Sequence, residues 1–488
     1  MTHKIGIVGG GVSGLSLAYF LERGDVEADI SLLEAADSLG GKVQTDLGPN
    51  GEVIERGADS LLLRAGSPLE ALLEETGLSS QIISPLQKTF SIQRAGVLHR
   101  VPLGMLQGMP KNLMALWRCS LFSLYGKCMA TVRGLYDLIF SPSLNGDPSI
   151  ATTLRSRYGK EVSKYFFETV FGGIHSGNAD ELSFCALYPD MANRSKSKGG
   201  KYHRARFISF KDGMGMLPQA LRQNLKRTNI QTNAQIKRVL QTTEGRYRVE
   251  FSRGDSAEFD QLVLATPSWV SANLLEELSP VLAEKLSAIQ HASSAVVTMV
   301  LSEKHVKQSP TGSGYLLSSD EGGYVTGCTY SSEKWDFRRG NDKETLLVRI
   351  FFGRNGGVST VSDEDLLTAA HEEITHKLGY EVAPRYETIA RWDRGLPQYA
   401  CGHAERLEQI TAALEPFPRL SIVGTSYRGV GIPDCVKESY RVAHSILNNL
   451  RGMDRSCQSS SDRADKDFLR KVEEKKDEEE RYGKTVCA

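Results

Sequence analysis

A short apolar run, Ile5 to Val8, passes directly into GGGVSGLSLAYFL, and this junction constrains the fold more than any other stretch of the chain. Isoleucine and valine in so short a run suit a buried parallel strand. Gly9, Gly11 and Gly14 then have the G-x-G-x-x-G spacing of a phosphate-binding turn. The three glycines serve different ends. Gly9 permits the tight turn, Gly11 lets backbone approach a pyrophosphate, and Gly14 lets helix pack close on strand. Leu15, Ala18 and Leu21 continue at helical spacing, so the positive end of a helix faces the anion. A second apolar run, DISLLE, ends at Glu34, 20 residues past Gly14, where a carboxylate receives ribose hydroxyls. Strand, glycine turn, helix, second strand and acid in register define a dinucleotide-binding unit; a glycine-rich turn in an unrelated α/β domain would not need the last two.

At 488 residues the chain exceeds what one simple core accommodates, and two or three domains are expected. Lysine plus arginine and aspartate plus glutamate balance at 59 each, leaving no global field to recruit nucleic acid. Cysteines are scattered, with no CxxC pair and no Cys/His cluster. That pattern points to free thiols in a reducing compartment and away from a metal site or a disulfide framework. The sequence enters its first strand too early for a cleavable signal, and no stretch reaches the ~20 apolar residues of a membrane span. A cytoplasmic chain is expected.

Further strand-like runs are FDQLVLATPSWV (Phe259 to Val270), SSAVVTMVLS and TLLVRIFFG, the last two suiting a second sheet. Leu420 to Val423 reads as a strand, followed by a glycine-rich turn (Gly424, Gly429, Gly431) and a helix from about Asp434. That turn again offers helix-terminal N–H groups to a polar partner, so the C-terminal part is expected to close the nucleotide domain. Leu103 to Phe140 is apolar and helical in propensity, with one acid, Asp137, against Lys111, Arg118, Lys127 and Arg133. Read as one helix, it places residues 111, 118 and 133 on one side, the design of an interfacial helix. A core helix pair whose cations reach out to water is the alternative, and Gly126 and Gly134 are expected to interrupt it. Seven cations and no acid lie between Arg194 and Lys211, suiting a solvated loop or an anionic partner. From Met453 the chain is highly charged and is expected to be disordered or a solvated helix.

The ribose acid is followed by AADSLGGK, in which a basic residue, Lys42, succeeds a glycine doublet. This resembles the segment of flavoprotein oxidases in which a second glycine pair lets backbone lie against an extended FAD. Further segments are ERGADSLL, GGIHSGNADELS (Gly172 to Ser183), FKDGMGMLPQAL (Phe210 to Leu221), LPQYACGH (Leu396 to His403) and GTSYRGVGIPDC (Gly424 to Cys435). Together, from about residue 4 to 450, they resemble the oxygen-dependent porphyrinogen oxidases of haem biosynthesis, which act on protoporphyrinogen IX or coproporphyrinogen III. The glycine segments at the start belong to the wider flavin superfamily; the last four are far more specific.

The resemblance implies an α/β protein with α+β elements. Its parts would be a Rossmann-like FAD-binding domain (1–62, 210–266 and 386–452), a mixed-sheet substrate domain (63–100 and 267–385), a helical insertion (101–209) and a charged tail (453–488). It implies that Gly9, Gly10, Gly11, Val12, Ser13, Gly14, Glu34, Ala35, Gly41 and Lys42 hold the adenosine and pyrophosphate. Gly57, Ala58, Asp59 and Ser60 would line the flavin, Val239 would touch adenine through its backbone, and Val430, Gly431 and Ile432 would close over the ring. Gly177 would lie against the porphyrinogen, where a side chain would obstruct a large planar molecule. Arg64, Lys88, Arg94 and Arg100 are alternative partners for a propionate, arginine offering the better fork geometry. No side chain is assigned as a catalytic base, and His175 reads as a partly buried loop residue.

The reaction so implied removes six electrons from a macrocycle with four methylene bridges. Flavin N5 would take hydride from one bridge carbon at a time and dioxygen would reoxidise the flavin, giving three hydrogen peroxide per porphyrin. Rival readings are a flavin oxidase of amines or isoprenoid chains, and a flavin-fold binding protein without activity. An amine oxidase wants an aromatic cage, for which SYRGVGIPDC offers only Tyr427. Intact Gly9, Gly11, Gly14 and Glu34 speak for a bound cofactor. A peripheral membrane contact, a homodimer, hand-over to a ferrochelatase and the choice between the two porphyrinogens stay open.

Overall fold

A computed structural model describes residues 2–24, 27–105, 113–140, 144, 146–192, 205–354 and 357–452. Lys111, the cations from Arg194 to Arg204 and the tail from Met453 lie outside them. In chain order, the elements that position the site begin with β1 (His3–Val8), α1 (Val12–Glu22) and β2 (Ala28–Leu33). Helices α2 (Leu124–Phe140) and α3 (Thr169–His175) follow, then β3 (Asn229–Gln231) and β4 (Gln261–Leu264). The rest are β5 (His291–Ser302), β6 (Thr345–Phe352), β7 (Tyr386–Pro397), β8 (Leu420–Ile422) and α4 (Ile432–Leu450).

Strands β3, β2, β1, β4 and β8 form a wholly parallel five-stranded sheet in that order. Buried on both faces, β1 and β4 are runs of apolar residues rather than alternating ones. The first and last helices pack on this sheet together. Leu15 and Ala18 of α1 share one core with Val436, Ala443 and Leu447 of α4, and Ser439 Oγ donates to the Ser13 carbonyl at 2.8 Å. The C-terminal part thus closes the nucleotide unit, as the repeated glycine turn suggests.

The second sheet has seven strands, with β7, β5 and β6 antiparallel neighbours at one edge. Side-chain alternation divides β6 cleanly. Val348, Ile350 and Phe352 face helix Asp363–Leu378 in one core, while Leu347 packs with Ile54 on the other side. Arg349 shares that other side, which turns toward the nucleotide unit.

The region 103–140 departs from the single-helix reading. It forms a short turn at Leu103–Met105, a helix over Leu113–Arg118 and α2. The break falls between Arg118 and Leu124; α2 runs through both Gly126 and Gly134, which therefore do not interrupt it. Neither do the cations simply point to solvent: Lys127 Nζ donates to the Trp117 carbonyl at 3.0 Å, and Arg133 donates to the carbonyls of Arg155 and Ser156.

One buried ion pair joins three distant segments. Glu55, on the strand Val53–Glu55, meets Arg338 at 2.6 Å with both side chains almost fully buried, as an ionic contact rather than a well-aligned hydrogen bond. The Glu55 carboxylate also accepts from Met214 N–H at 2.7 Å and from the Thr45 hydroxyl at 2.6 Å. Arg338 donates to Ser209 Oγ at 2.9 Å. Breaking such a pair strands a charge away from water. Arg338→Met should therefore cost about 3–5 kcal/mol, read as a lowered denaturation midpoint, and Glu55→Gln with Arg338→Met should cost less than the two changes summed.

Candidate functional site

The site is built on main chain at the head of β1. Gly9, at φ 107, donates its N–H to the Leu33 carbonyl at 2.8 Å. A Cβ on Gly14 would lie 1.9 Å from the Gly9 carbonyl oxygen, so α1 can begin there only with glycine. Gly11 is the N-cap of α1; no side chain caps this end and its first turn carries no acid. The first N–H groups of Val12 and Ser13 therefore stay available to an anion. The second glycine turn lies against the first: Gly11 pairs with Gly40 in a parallel bridge, and Gly40 N–H donates to the Gly10 carbonyl at 2.9 Å. A Cβ on Gly11 would meet nothing nearer than Gly41 Cα at 3.9 Å. The result is a strip of backbone bare of side chains, which suits an extended pyrophosphate.

Glu34 sits half-buried beside this strip. Its Oε2 accepts from Gly10 N–H at 2.6 Å and its Oε1 from Ala36 N–H at 2.8 Å, while Ala35 is exposed. Ala234 N–H donates to the Glu34 carbonyl at 2.8 Å, which brings the hairpin of strands Ile236–Gln241 and Tyr247–Phe251 alongside. Val239 lies in that hairpin, wholly buried and paired with Val249. A cleft of about 610 Å³, lined by Ser38, Leu39, Val43, Arg56, Pro218 and Arg222 among others, includes none of Gly9 to Gly14 but borders the second glycine turn.

Lys42 turns inward. Its amine donates to the Gly395 carbonyl at 2.6 Å and lies 3.5 Å from Thr425 Oγ1, and burial lowers its pKa. It thus reaches the end of β7 and the 424–431 turn rather than remaining at the glycine strip. The segment Gly57 to Ser60 is clamped from behind. Arg349 donates to the Gly57 carbonyl at 2.6 Å and Trp392 Nε1 to the Arg56 carbonyl at 2.9 Å. A Cβ on Gly57 would lie 2.3 Å from the Lys42 carbonyl oxygen. Asp59 accepts from Lys334 at 2.8 Å and from Ser60 Oγ at 2.8 Å, with Arg349 at 3.9 Å. Burial opposes its ionisation, but Lys334 and Arg349 outweigh burial and hold the carboxyl below the ordinary range. Asp59 is therefore a latch to the second sheet.

Tyr399 and His403 fix the last turn. Tyr399 Oη donates to the Thr425 carbonyl at 2.7 Å and accepts from Gly429 N–H at 2.8 Å. His403 stacks on Tyr399 with centroids 3.9 Å apart, and its Nε2 lies 2.9 Å from the Tyr427 carbonyl. Val430, Gly431 and Ile432 lead from this turn into α4, where Asp434 accepts from Gly431 N–H at 3.3 Å. Tyr427 itself is buried in the core under the first sheet, not presented as a cage wall.

The residues expected to meet a substrate divide. At the end of α3, His175 is 6% exposed, within hydrogen-bond reach of Tyr188 Oη at 3.3 Å, and burial pushes its pKa down to about 4. It is a buried neutral ring, not a loop residue. Gly177 follows one residue after Ser176, which is left-handed at φ 48. The four cations do not converge. Arg64 lies 3.8 Å from Asp434 at the start of α4. Arg94 is committed to Glu161 at 2.9 Å and to the Leu121 carbonyl, Arg100 reaches Thr89 Oγ1 at 3.2 Å, and Lys88 is exposed. The clamps Lys334, Arg349, Trp392, Gln398 and Tyr399 were not singled out by the sequence; only LPQYACGH, as a motif, marks the last two.

Over residues 12–447 the chain matches the family described as flavin containing amine oxidoreductase. It is 26% identical to the coproporphyrinogen III oxidase of Staphylococcus aureus, over 92% of this chain and 100% of that one. It is also 26% identical to human protoporphyrinogen oxidase, over 92% and 99%. The crystal structure of a "Putative protoporphyrinogen oxidase" from Exiguobacterium sp. 255-15 superposes with a TM-score of 0.81 at 28% identity, covering 92% of this chain and 99% of that one.

Two measurements test the site. Gly14→Ala should destabilise the fold by ~1–3 kcal/mol through overpacking, whereas Gly11→Ala should leave the unfolding midpoint of the flavin-free protein nearly unchanged and lower flavin retention on dilution. For His175, the unfolded chain binds a proton below about pH 6.5 while the folded chain resists until about pH 4. Its contribution is thus full above pH 6.5 and is lost as pH falls toward 4, by about 3 kcal/mol at the limit. His175→Phe should lose less stability than wild type between pH 7 and pH 5, measured by urea unfolding.

Proposed function

The chain belongs to the flavin containing amine oxidoreductase family, and we propose that within it the protein is an FAD-dependent porphyrinogen oxidase of haem biosynthesis, with dioxygen as acceptor. The observation that carries this reading is the extent of likeness to named porphyrinogen oxidases, which runs along nearly the whole chain and far beyond the dinucleotide unit. The bare backbone strip of two glycine turns supports an extended FAD rather than a compact flavin. When bound, the flavin takes hydride from carbon and passes electrons to dioxygen. The protein's part is binding and orientation. Gly9 to Gly14 and Gly41 would receive the pyrophosphate on main chain, Glu34 the ribose, and Val430 to Ile432 the ring. Arg349 and Trp392 tie down the carbonyls of Gly57 and Arg56, which would hold that lining in place.

A porphyrinogen brings anionic propionates, and Arg64 is the cation of the four that stands beside the Val430–Ile432 turn, half-exposed and 3.8 Å from Asp434. We take it as the propionate partner. Burial of Tyr427 weighs against the amine reading, which needs that ring at a cage wall.

We also propose a peripheral membrane contact. Among the described residues no helix is long and apolar enough to cross a membrane. Yet α2 exposes Leu124, Tyr125, Val132, Tyr136, Ile139 and Phe140, with Tyr125 at 72% and Ile139 at 70%, and Trp117 lies nearby. A contiguous face of this kind, rich in aromatic residues, suits the headgroup boundary.

With purified protein in air, coproporphyrinogen III and protoporphyrinogen IX supplied side by side should give porphyrin fluorescence and peroxide. The faster substrate identifies the step, and a yellow protein that oxidises neither would refute the reading. Val132→Glu with Ile139→Glu should at least halve co-sedimentation with anionic phospholipid vesicles, and equal sedimentation would remove the membrane contact.

A further inference from the structure

The turn that closes α3 is held from a segment more than two hundred residues away in the chain. The carbonyl of His175 is one of the four at the end of a helix that lack an intrahelical partner. It accepts a hydrogen bond from Gln398 Nε2 at 2.9 Å, and the same nitrogen donates to the Leu396 carbonyl at 3.1 Å. Two carbonyls facing one end of the carboxamide fix which end is nitrogen. Oε1 must therefore point the other way, toward Gly177, where a Cβ would stand only 2.0 Å from it. Leu182 Cδ1 would be 3.0 Å from the same Cβ.

The surroundings hold Gln398 in place. Its own N–H donates to the Gln290 carbonyl at 2.8 Å. Ser183 N–H donates to the Tyr399 carbonyl at 2.7 Å and Cys401 N–H to the Glu181 carbonyl at 2.9 Å, around the antiparallel bridge of Leu182 and Ala400. Asp147 staples the same junction, accepting from Gly402 N–H at 2.7 Å and from the Ser183 hydroxyl. Neighbouring residues of one extended stretch send their side chains to different turns: Gln398 to residues 175–177 and Tyr399 to residues 425–429. The carboxamide cannot retreat without giving up both carbonyls.

We infer that Gln398 is a positioning residue that sets the placement of the Gly177 turn, and that residue 177 is glycine to admit Gln398 rather than to admit the porphyrinogen. The role in turnover rests on the proposed porphyrinogen reading; the pairing of the two residues does not. A glycine kept open for the macrocycle and a glycine kept open for Gln398 make opposite statements about a double variant, because only in the second case does removing the carboxamide make room for a methyl group.

Gly177→Ala, Gln398→Ala and the double variant should be compared in two ways. Thermal unfolding midpoints test the pairing without any substrate: Gly177→Ala should lower the midpoint in the wild-type background and change it little once Gln398 is alanine. Steady-state oxidation of coproporphyrinogen III and protoporphyrinogen IX tests the positioning. Gln398→Ala should raise KM about fivefold, the scale set by loosening a turn held through a shared hydrogen-bond donor, with a smaller change in kcat and with flavin content retained. Gly177→Ala should lower kcat/KM more than tenfold alone and add nothing to Gln398→Ala. If the double variant is instead impaired by the product of the single effects, or is insoluble while Gln398→Ala is soluble, the glycine serves something other than Gln398 and the inference falls. If Gly177→Ala is insoluble and the double variant is not, the inference stands. Should wild type oxidise neither porphyrinogen, the functional reading fails while the unfolding midpoints still decide the pairing.

Discussion

The ion pair of Glu55 and Arg338 is the contact on which the arrangement of the site depends. Both partners are almost wholly buried, so neither can relax into water, and each is completed by groups from other segments. Thr45 stands on one side of Glu55 and Met214 N–H on the other; Ser209 completes Arg338. The pair thereby fixes the hairpin before Gly57, the FKDGMGM loop and the segment after Lys334 in one frame. Gly213 shows how tight that frame is, since a Cβ there would stand 2.4 Å from Thr45 Cγ2. Buried charge of this kind gives little net stability compared with an apolar pair of the same shape. Its value here is registration: Thr45, Met214, Ser209 and the two charges meet in one arrangement of the three segments.

The frame extends outward through charge. Two residues past Gly57, Asp59 collects Lys334 and the approach of Arg349, and Arg349 in turn holds the Gly57 carbonyl. Because Arg349 lies on the second sheet and Gly57 on the segment leaving the first unit, the spacing between the two sheets at the site is set by an arginine side chain. Alternation along β6 explains how this is possible without breaking the core behind it: Val348 and Ile350 face the helix, and Arg349 has nowhere to go but toward the site.

The dinucleotide unit was legible because everything that defines it lies within some thirty residues, and glycine spacing, strand and acid report on one another locally. The second sheet was legible in part, since β5 and β6 are long runs rich in apolar and β-branched residues. The clamps were not. Arg338, Arg349 and Trp392 acquire their roles only through partners far off in sequence, and although Arg349 stands out as a charge inside an apolar run, that run does not say what it holds. Region 103–140 failed differently. Gly126 and Gly134 looked like breaks by propensity, but propensity is a weak prior, and α2 packs well enough against the helices after Ile150 to run through both. The buried state of His175 was hidden for the same reason as the clamps: the rings around it, Phe171 and Tyr188 among them, are assembled by the fold.

The glycines divide into two kinds, and the division bears on how such motifs are read. At Gly14, Gly57, Gly177 and Gly213 a Cβ would collide with the protein's own atoms at 1.9, 2.3, 2.0 and 2.4 Å. At Gly14 and Gly57 the obstacle is backbone, which cannot give way, so these two are glycine with no ligand at all; at Gly177 and Gly213 it is a side chain held by its own partners. Gly11 differs: its backbone is in an ordinary extended conformation, and an added Cβ would find only Gly41 Cα, at 3.9 Å. The folded chain itself gives no reason for glycine there. A position that the protein leaves open, at an uncapped helix end and against a second glycine turn, is explained by something outside the chain that must come within van der Waals contact of the backbone. The physical case for a bound pyrophosphate therefore rests less on the count of glycines in the motif than on the one whose side chain the protein could have accommodated.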